Sequence, residues 1–231
     1  MSKPCRVAIV GATGIAGQQF VVALQKHPWF TIARLAASAK SAGKKYAEAL
    51  LDAKTGARRW WCDEEPSKDA LDLMVEDGDA FDASGVDVVF SATESEVAKV
   101  QEPLFAKTTP VISTASAFRY AVDVPLLVPN INMSHAELLD VQKQNRGWKG
   151  FVVPVPNCTA LGLAITLKPL LDRFGLESVV VTTMQGLSGA GHSPGVMGLD
   201  ILDNIIPFIP KEEEKVEKEL RKIFGSLAGN A

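Results

Sequence analysis

The feature that most constrains this chain lies at its start. Arg6 to Val10 (RVAIV) passes directly into GATGIAG and then into a helical pattern. The first run is short, apolar and β-branched, as a buried strand requires. Ala16, Phe20, Ala23 and Leu24 then recur at helical spacing, and His27-Pro28 ends the run. Phe30 to Ala37 (FTIARLAA) reads as a second strand. A strand, glycine turn, helix and strand within about 30 residues make one βαβ unit. Asp87 to Phe90, a helix carrying Val97, Val100, Leu104 and Phe105, and Pro110 to Ser113 continue the alternation. The fold class is therefore α/β, with a doubly wound parallel sheet. Residues 52–82 mix charge with Trp60 and Trp61 and are predicted as strands and turns.

Ligands of such sheets sit beyond the carboxyl ends of the strands. GATG, SATES (with Ser91 and Thr93) and STASAFR all fall there. Gly11, Gly14 and Gly17 permit a tight turn and let the backbone approach a pyrophosphate at the helix N-terminus, with Thr13 and Ile15 between them. An NAD site ordinarily has an acidic residue about 20 residues further on. No Asp or Glu occurs between Gly11 and Ala47. Ser38, Lys40 and Ser41 stand at the end of the second strand instead, and hydroxyls with a cation suit the 2′-phosphate of NADP. A solvated loop would look the same and would not discriminate cofactors.

The pattern changes near residue 150. GFVVPVPN reads as a strand, and CTALGLAITLKPLLDRFG as a helix kinked at Pro169. Glu177 to Met184 (ESVVVTTM) is predicted as a strong strand, followed by the glycine-rich QGLSGAGHSPG. Pro210 to Phe224 is amphipathic, with Val216, Leu220, Ile223 and Phe224 on one face. In PNCTA, Cys158 falls where a strand gives way to a helix. A helix N-terminus favours a thiolate and supplies N–H groups for an oxyanion. A lone cysteine is more often buried and inert, the reading given to Cys5 and Cys62; Asn157 and Thr159 argue for a polar site at Cys158. Arg119, just past a strand end, suits a phosphate with its planar fork, although surface arginines are common. Gln185 could orient a substrate, or simply end a strand. The run Glu212 to Lys215 (EEEK) reads by itself as a solvated helix face.

Composition excludes several classes. A net charge of −3 over 231 residues does not suit a nucleic-acid binder held by bulk charge. Three cysteines make no disulfide framework and suit a reducing compartment. No uninterrupted apolar run is long enough to span a membrane, and no signal peptide precedes the glycine turn. A cytoplasmic protein with small-molecule partners is expected.

Taken together, PNCTA, GATGIAG and QGLSGAG resemble the aspartate-β-semialdehyde dehydrogenase family, in particular its archaeal and fungal branch. The resemblance implies a Rossmann-type NADP-binding domain, residues 1–155, and an α+β catalytic and dimerisation domain, begun by residues 156–231. It implies NADPH-dependent reductive dephosphorylation of 4-phospho-aspartate to aspartate semialdehyde, on the route to lysine, threonine and methionine, by a homodimer or homotetramer. Carried onto this sequence, Cys158 matches the nucleophile and Asn157 its neighbour. Arg119 matches a phosphate-binding arginine, and Gln185 the glutamine that positions substrate. Glu212 and Lys215 match a Glu-x-x-Lys pair, which overturns the bland reading of EEEK. Ser188, Gly189 and Gly191 match the loop beside the nicotinamide.

The family also uses a histidine and a second arginine after the Glu-x-x-Lys helix. The sequence ends at Ala231 before either, and His27, His135 and His192 do not fall in that motif. About 155 residues serve the cofactor domain and about 75 remain for catalysis, so a C-terminally incomplete chain is expected. The alternatives are malonyl-CoA reductase, with similar thioester chemistry; more distantly N-acetyl-γ-glutamyl-phosphate reductase; and an inactive NADP-binding fragment or paralogue.

Overall fold

The computed structural model describes residues 3–186 and 203–227. The chain divides into two compact units, residues 1–127 with 134–155, and residues 128–133 with 156–231.

The first unit is built on six strands: β1 (Cys5–Val10), β2 (Phe30–Ala37), β3 (Val75–Asp77), β4 (Val88–Ser91), β5 (Val111–Ser113) and β6 (Val152–Pro154). Helices α1 (Ile15–Leu24), α2 (Tyr46–Ala49), α3 (Lys68–Asp72), α4 (Ser95–Ala106) and α5 (Leu138–Arg146) connect them. The order across the sheet is β3-β2-β1-β4-β5-β6, and every neighbouring pair is parallel. The chain therefore winds outward from β1 through β2 to β3, then returns to β4 on the other side of β1.

Strand β1 shows why the sequence takes this form. Val7 and Ile9 join a buried cluster with Val21 and Leu24 of α1 and with Leu35 and Tyr46. Ala8 and Val10 join a second cluster with Ala36, Val89, Val111 and Phe105 of α4. Side chains alternate across a strand, so both faces of the sheet are covered. A strand buried on both faces needs a continuous apolar run rather than an alternating one.

In the second unit, α6 (Cys158–Phe174) continues through Pro169, and α7 (Glu212–Phe224) packs beside it. The strand predicted at Glu177 to Met184 does not form. Residues 178–186 carry no regular secondary structure and pair with no strand among the described residues, and Val180 and Met184 are 97% and 96% exposed. β-Branched residues favour a pleated, half-buried surface; they supply no ladder by themselves, and among the described residues this run has no partner strand. Residues 52–82 also differ from expectation. They hold α3 and the three-residue edge strand β3, with turns and irregular chain elsewhere. Among the described residues no helix is long and apolar enough to cross a membrane.

Candidate functional site

The switch point between β1 and β4 brings two loops together at the carboxyl edge of the sheet. Gly11 follows β1 with φ +82°, and a Cβ there would stand 2.5 Å from the carbonyl oxygen of Ala92, which follows β4. A Cβ on Gly17 would lie 2.2 Å from the Gly11 carbonyl oxygen. These two glycines are required by the protein's own packing. Gly14 is different. It is the N-cap of α1 at φ −79°, no side chain caps the helix there, and a Cβ would meet only the Gly11 carbonyl oxygen, at 3.4 Å. The first N–H groups of a helix have no intrahelical partner, and the positive end of the helix dipole lies beside them. A glycine that the protein does not need for itself leaves this backbone open to a close anionic group, so the loop fits a pyrophosphate.

The loop is braced from behind. Gly11 and Ala12 N–H donate to the Ala36 carbonyl at 2.8 and 3.0 Å. The buried Tyr46 hydroxyl donates to the Ala12 carbonyl at 2.7 Å, and burial pushes its phenol pKa up. Gln18, fully buried, donates to the carbonyls of Thr13 at 3.1 Å and Arg59 at 2.8 Å, and accepts from Trp61 N–H at 2.9 Å. Sequence reasoning missed Gln18 and Tyr46. A polar residue on the inward face of α1, one place after Gly17, was the available signal.

Ser91 is buried at the end of β4, 3.3 Å from the Thr93 hydroxyl. Ser38 and Lys40 are exposed in the loop after β2, whereas Ser41 is buried and its N–H donates to the Ser38 carbonyl at 2.8 Å. Arg119 lies beyond β5, buried, with Nη2 donating to the Thr114 carbonyl at 3.1 Å. At the end of β5 the Ser113 hydroxyl donates to the fully buried Glu102 carboxyl at 2.5 Å and accepts from Ala115 N–H at 3.0 Å. Burial pushes the Glu102 pKa up to about 7.

The second unit assembles a separate cluster around Cys158. Asn157 is the N-cap of α6, and its Oδ1 accepts from Thr159 N–H at 2.9 Å and Ala160 N–H at 3.1 Å. Cys158 is then the first residue of α6, and it is exposed. The Asn157 Nδ2 donates to both carboxylate oxygens of Glu212, at 3.0 and 3.2 Å, and the Thr159 hydroxyl donates to Glu212 at 3.1 Å. Lys215 Nζ lies 4.0 Å from Glu212. Asn157 and Thr159, on either side of Cys158, thus meet Glu212 more than fifty residues further along the chain, and Lys215 lies beside Glu212 on the same helix. Gln185 lies exposed in the irregular segment after α6. Ser188, Gly189, Gly191 and His192 lie outside the described residues. Among the described residues no group of three or more His, Cys, Asp or Glu side chains could hold a metal ion.

Strand order 3-2-1-4-5-6 with a glycine loop at its switch point defines a Rossmann-type dinucleotide-binding domain. Residues 6–139 match the semialdehyde dehydrogenase NAD binding domain, and residues 167–230 match the semialdehyde dehydrogenase dimerisation domain. The chain belongs to the semialdehyde dehydrogenase family. It is 46% identical to an aspartate-semialdehyde dehydrogenase of Archaeoglobus fulgidus, covering 96% of this chain and 62% of that protein. It is 43% identical to one of Methanothermobacter thermautotrophicus, covering 96% and 61%. The crystal structure of aspartate semialdehyde dehydrogenase with NADP from Candida albicans superposes with a TM-score of 0.82 at 36% identity, covering 98% of this chain and 62% of that one. The chain therefore spans about three fifths of the length of these relatives.

Proposed function

We propose that this chain carries the NADP-binding and nucleophile-bearing parts of an aspartate-semialdehyde dehydrogenase. On this reading residues 1–155 hold the cofactor and residues 156–231 belong to the catalytic and dimerisation domain of a homo-oligomer. The observation that carries the reading is the bond of Asn157, the N-cap residue immediately ahead of Cys158, to Glu212, with Lys215 4.0 Å from the same carboxylate.

The Cys158 thiolate attacks the acyl carbon of 4-phospho-aspartate. A carbon–sulfur bond forms, the bond from carbon to the phosphate oxygen breaks, and inorganic phosphate leaves. Covalent catalysis divides one difficult step into two easier ones. Main-chain N–H groups at the start of α6 are suited to the oxyanion. By the family resemblance, Arg119 and Lys215 are each assigned to the phosphate, Glu212 to the substrate amine, and Gln185 to orienting the substrate. The GATGIAG loop would hold the NADP pyrophosphate with Ser91 and Thr93 nearby, and Ser38, Lys40 and Ser41 would stand toward the 2′-phosphate; Ser188, Gly189 and Gly191 are assigned to the cofactor by the family resemblance alone. When bound, NADPH supplies the hydride that reduces the thioester. Release of the aldehyde regenerates the thiolate.

The test is aldehyde-dependent NADP reduction in phosphate buffer. Turnover is expected with aspartate semialdehyde and phosphate together in a form that includes the family's histidine and second arginine, and Cys158→Ala in that form is expected to lower it about a thousandfold or more. Normal turnover by Cys158→Ala would sink the mechanism.

A further inference from the structure

We propose that Glu219 positions the thiol of Cys158, acting through the main chain of Asn157. The proposal rests on the reading of Cys158 as the nucleophile. Glu212, Lys215 and Glu219 are spaced i, i+3, i+7 and share one face of α7. Glu219 is fully buried, with Ile223 buried one turn beyond it. Burying a carboxylate is costly, and a well-packed apolar side chain is often at least as stabilising at such a place. Stability alone therefore gives little reason for a carboxylate here.

What Glu219 touches supplies the reason. Its Oε2 accepts the Asn157 N–H at 2.5 Å. Asn157 is the residue immediately ahead of the thiol. Its side chain is held from the same helix by Glu212, and its Oδ1 caps α6. Glu212 and Glu219 thus fix the N-cap residue at its side chain and at its main chain. Cys158, itself exposed, has its place set by this anchored neighbour. Without an acceptor for the Asn157 N–H, the N-cap loses its main-chain anchor and the thiol moves away from the end of the helix dipole.

The acceptor, not the charge alone, is what the proposal requires, and two variants separate them. Glu219→Gln keeps an oxygen for the Asn157 N–H, whereas Glu219→Leu fills similar volume without one. In a background of Cys5→Ser and Cys62→Ser, Cys158 is the sole thiol, and its alkylation by iodoacetamide at pH 7 reads its placement. Glu219→Gln is expected to react at least as fast as the parent. Glu219→Leu, folded by far-UV circular dichroism, is expected to react about two- to fivefold more slowly, the factor carried by a helix terminus. Equal rates for the two variants overturn the proposal. If Glu219→Leu does not fold, the Asn157 amide proton decides. Replacing a charged acceptor by a neutral one weakens the bond, so this resonance is expected to move upfield in Glu219→Gln. An unmoved resonance overturns the proposal. Neither measurement uses substrate or cofactor, so failure here is distinct from failure of the aldehyde assay.

Discussion

Gly14 and Gly17, three residues apart in GATGIAG, have opposite reasons for being glycine. Gly17 cannot accept a Cβ, because the Gly11 carbonyl oxygen would be 2.2 Å away. Gly17→Ala is expected to cost stability on the scale of an overpacked core, about 1–3 kcal/mol, seen as a fall in the denaturant midpoint. Gly14 has room for a methyl group. Gly14→Ala is expected to leave the melting temperature nearly unchanged while weakening NADPH binding about tenfold or more, as one hindered approach to a pyrophosphate would. A fluorescence titration showing unchanged affinity in Gly14→Ala would contradict the pyrophosphate assignment. Asn157 joins the same scale of argument. Asn157→Ala removes two capping bonds from α6, and about 1 kcal/mol of stability is expected to go with them.

At the scale of elements, α4 meets the sheet through a buried carboxyl. Glu102, inaccessible to solvent, takes the Ser113 hydroxyl, and its pKa is pushed up to about 7 by desolvation. A folded-state pKa above the unfolded value means that the folded state binds more protons between the two. The stability contribution is therefore complete below the ordinary carboxylate range and is lost as pH rises toward about 7. The melting temperature is expected to fall from pH 5 to pH 8, and Glu102→Gln is expected to remove roughly 1–3 kcal/mol of that fall. An unchanged pH slope in Glu102→Gln would show that the carboxyl is ionised throughout. Elements also show what a sequence can disclose. β1 was legible because a strand covered on both faces must be apolar, as Val7 through Val10 are. Glu177 to Met184 carries the same composition and is not a strand, because pairing depends on a partner that local residue choice does not contain. Glu219 was hidden for a related reason. It sits within an amphipathic helix whose apolar residues account for the pattern, and only the fold places Asn157 against it.

For the whole molecule, the parallel order β3-β2-β1-β4-β5-β6 and the family membership agree with the reading of GATGIAG and its flanking strands. The thiol cluster was less legible. The Asn157 cap and Cys158 are local to PNCTA, but EEEK reads alone as a solvated run, and its Glu212 is only 12% exposed once it meets Asn157 and Thr159. Long-range pairing of this kind is set by how α6 and α7 pack, and spacing along the chain does not encode it. On the proposed function, Cys158 takes the acyl group of 4-phospho-aspartate. The most direct test is the mass of the intact protein after incubation with 4-phospho-aspartate in the absence of NADPH, followed by peptide mapping. One aspartyl group on Cys158, labile to hydroxylamine and lost in Cys158→Ser, is the expected result. No adduct on the wild-type chain, or the same adduct in Cys158→Ala, would contradict the account.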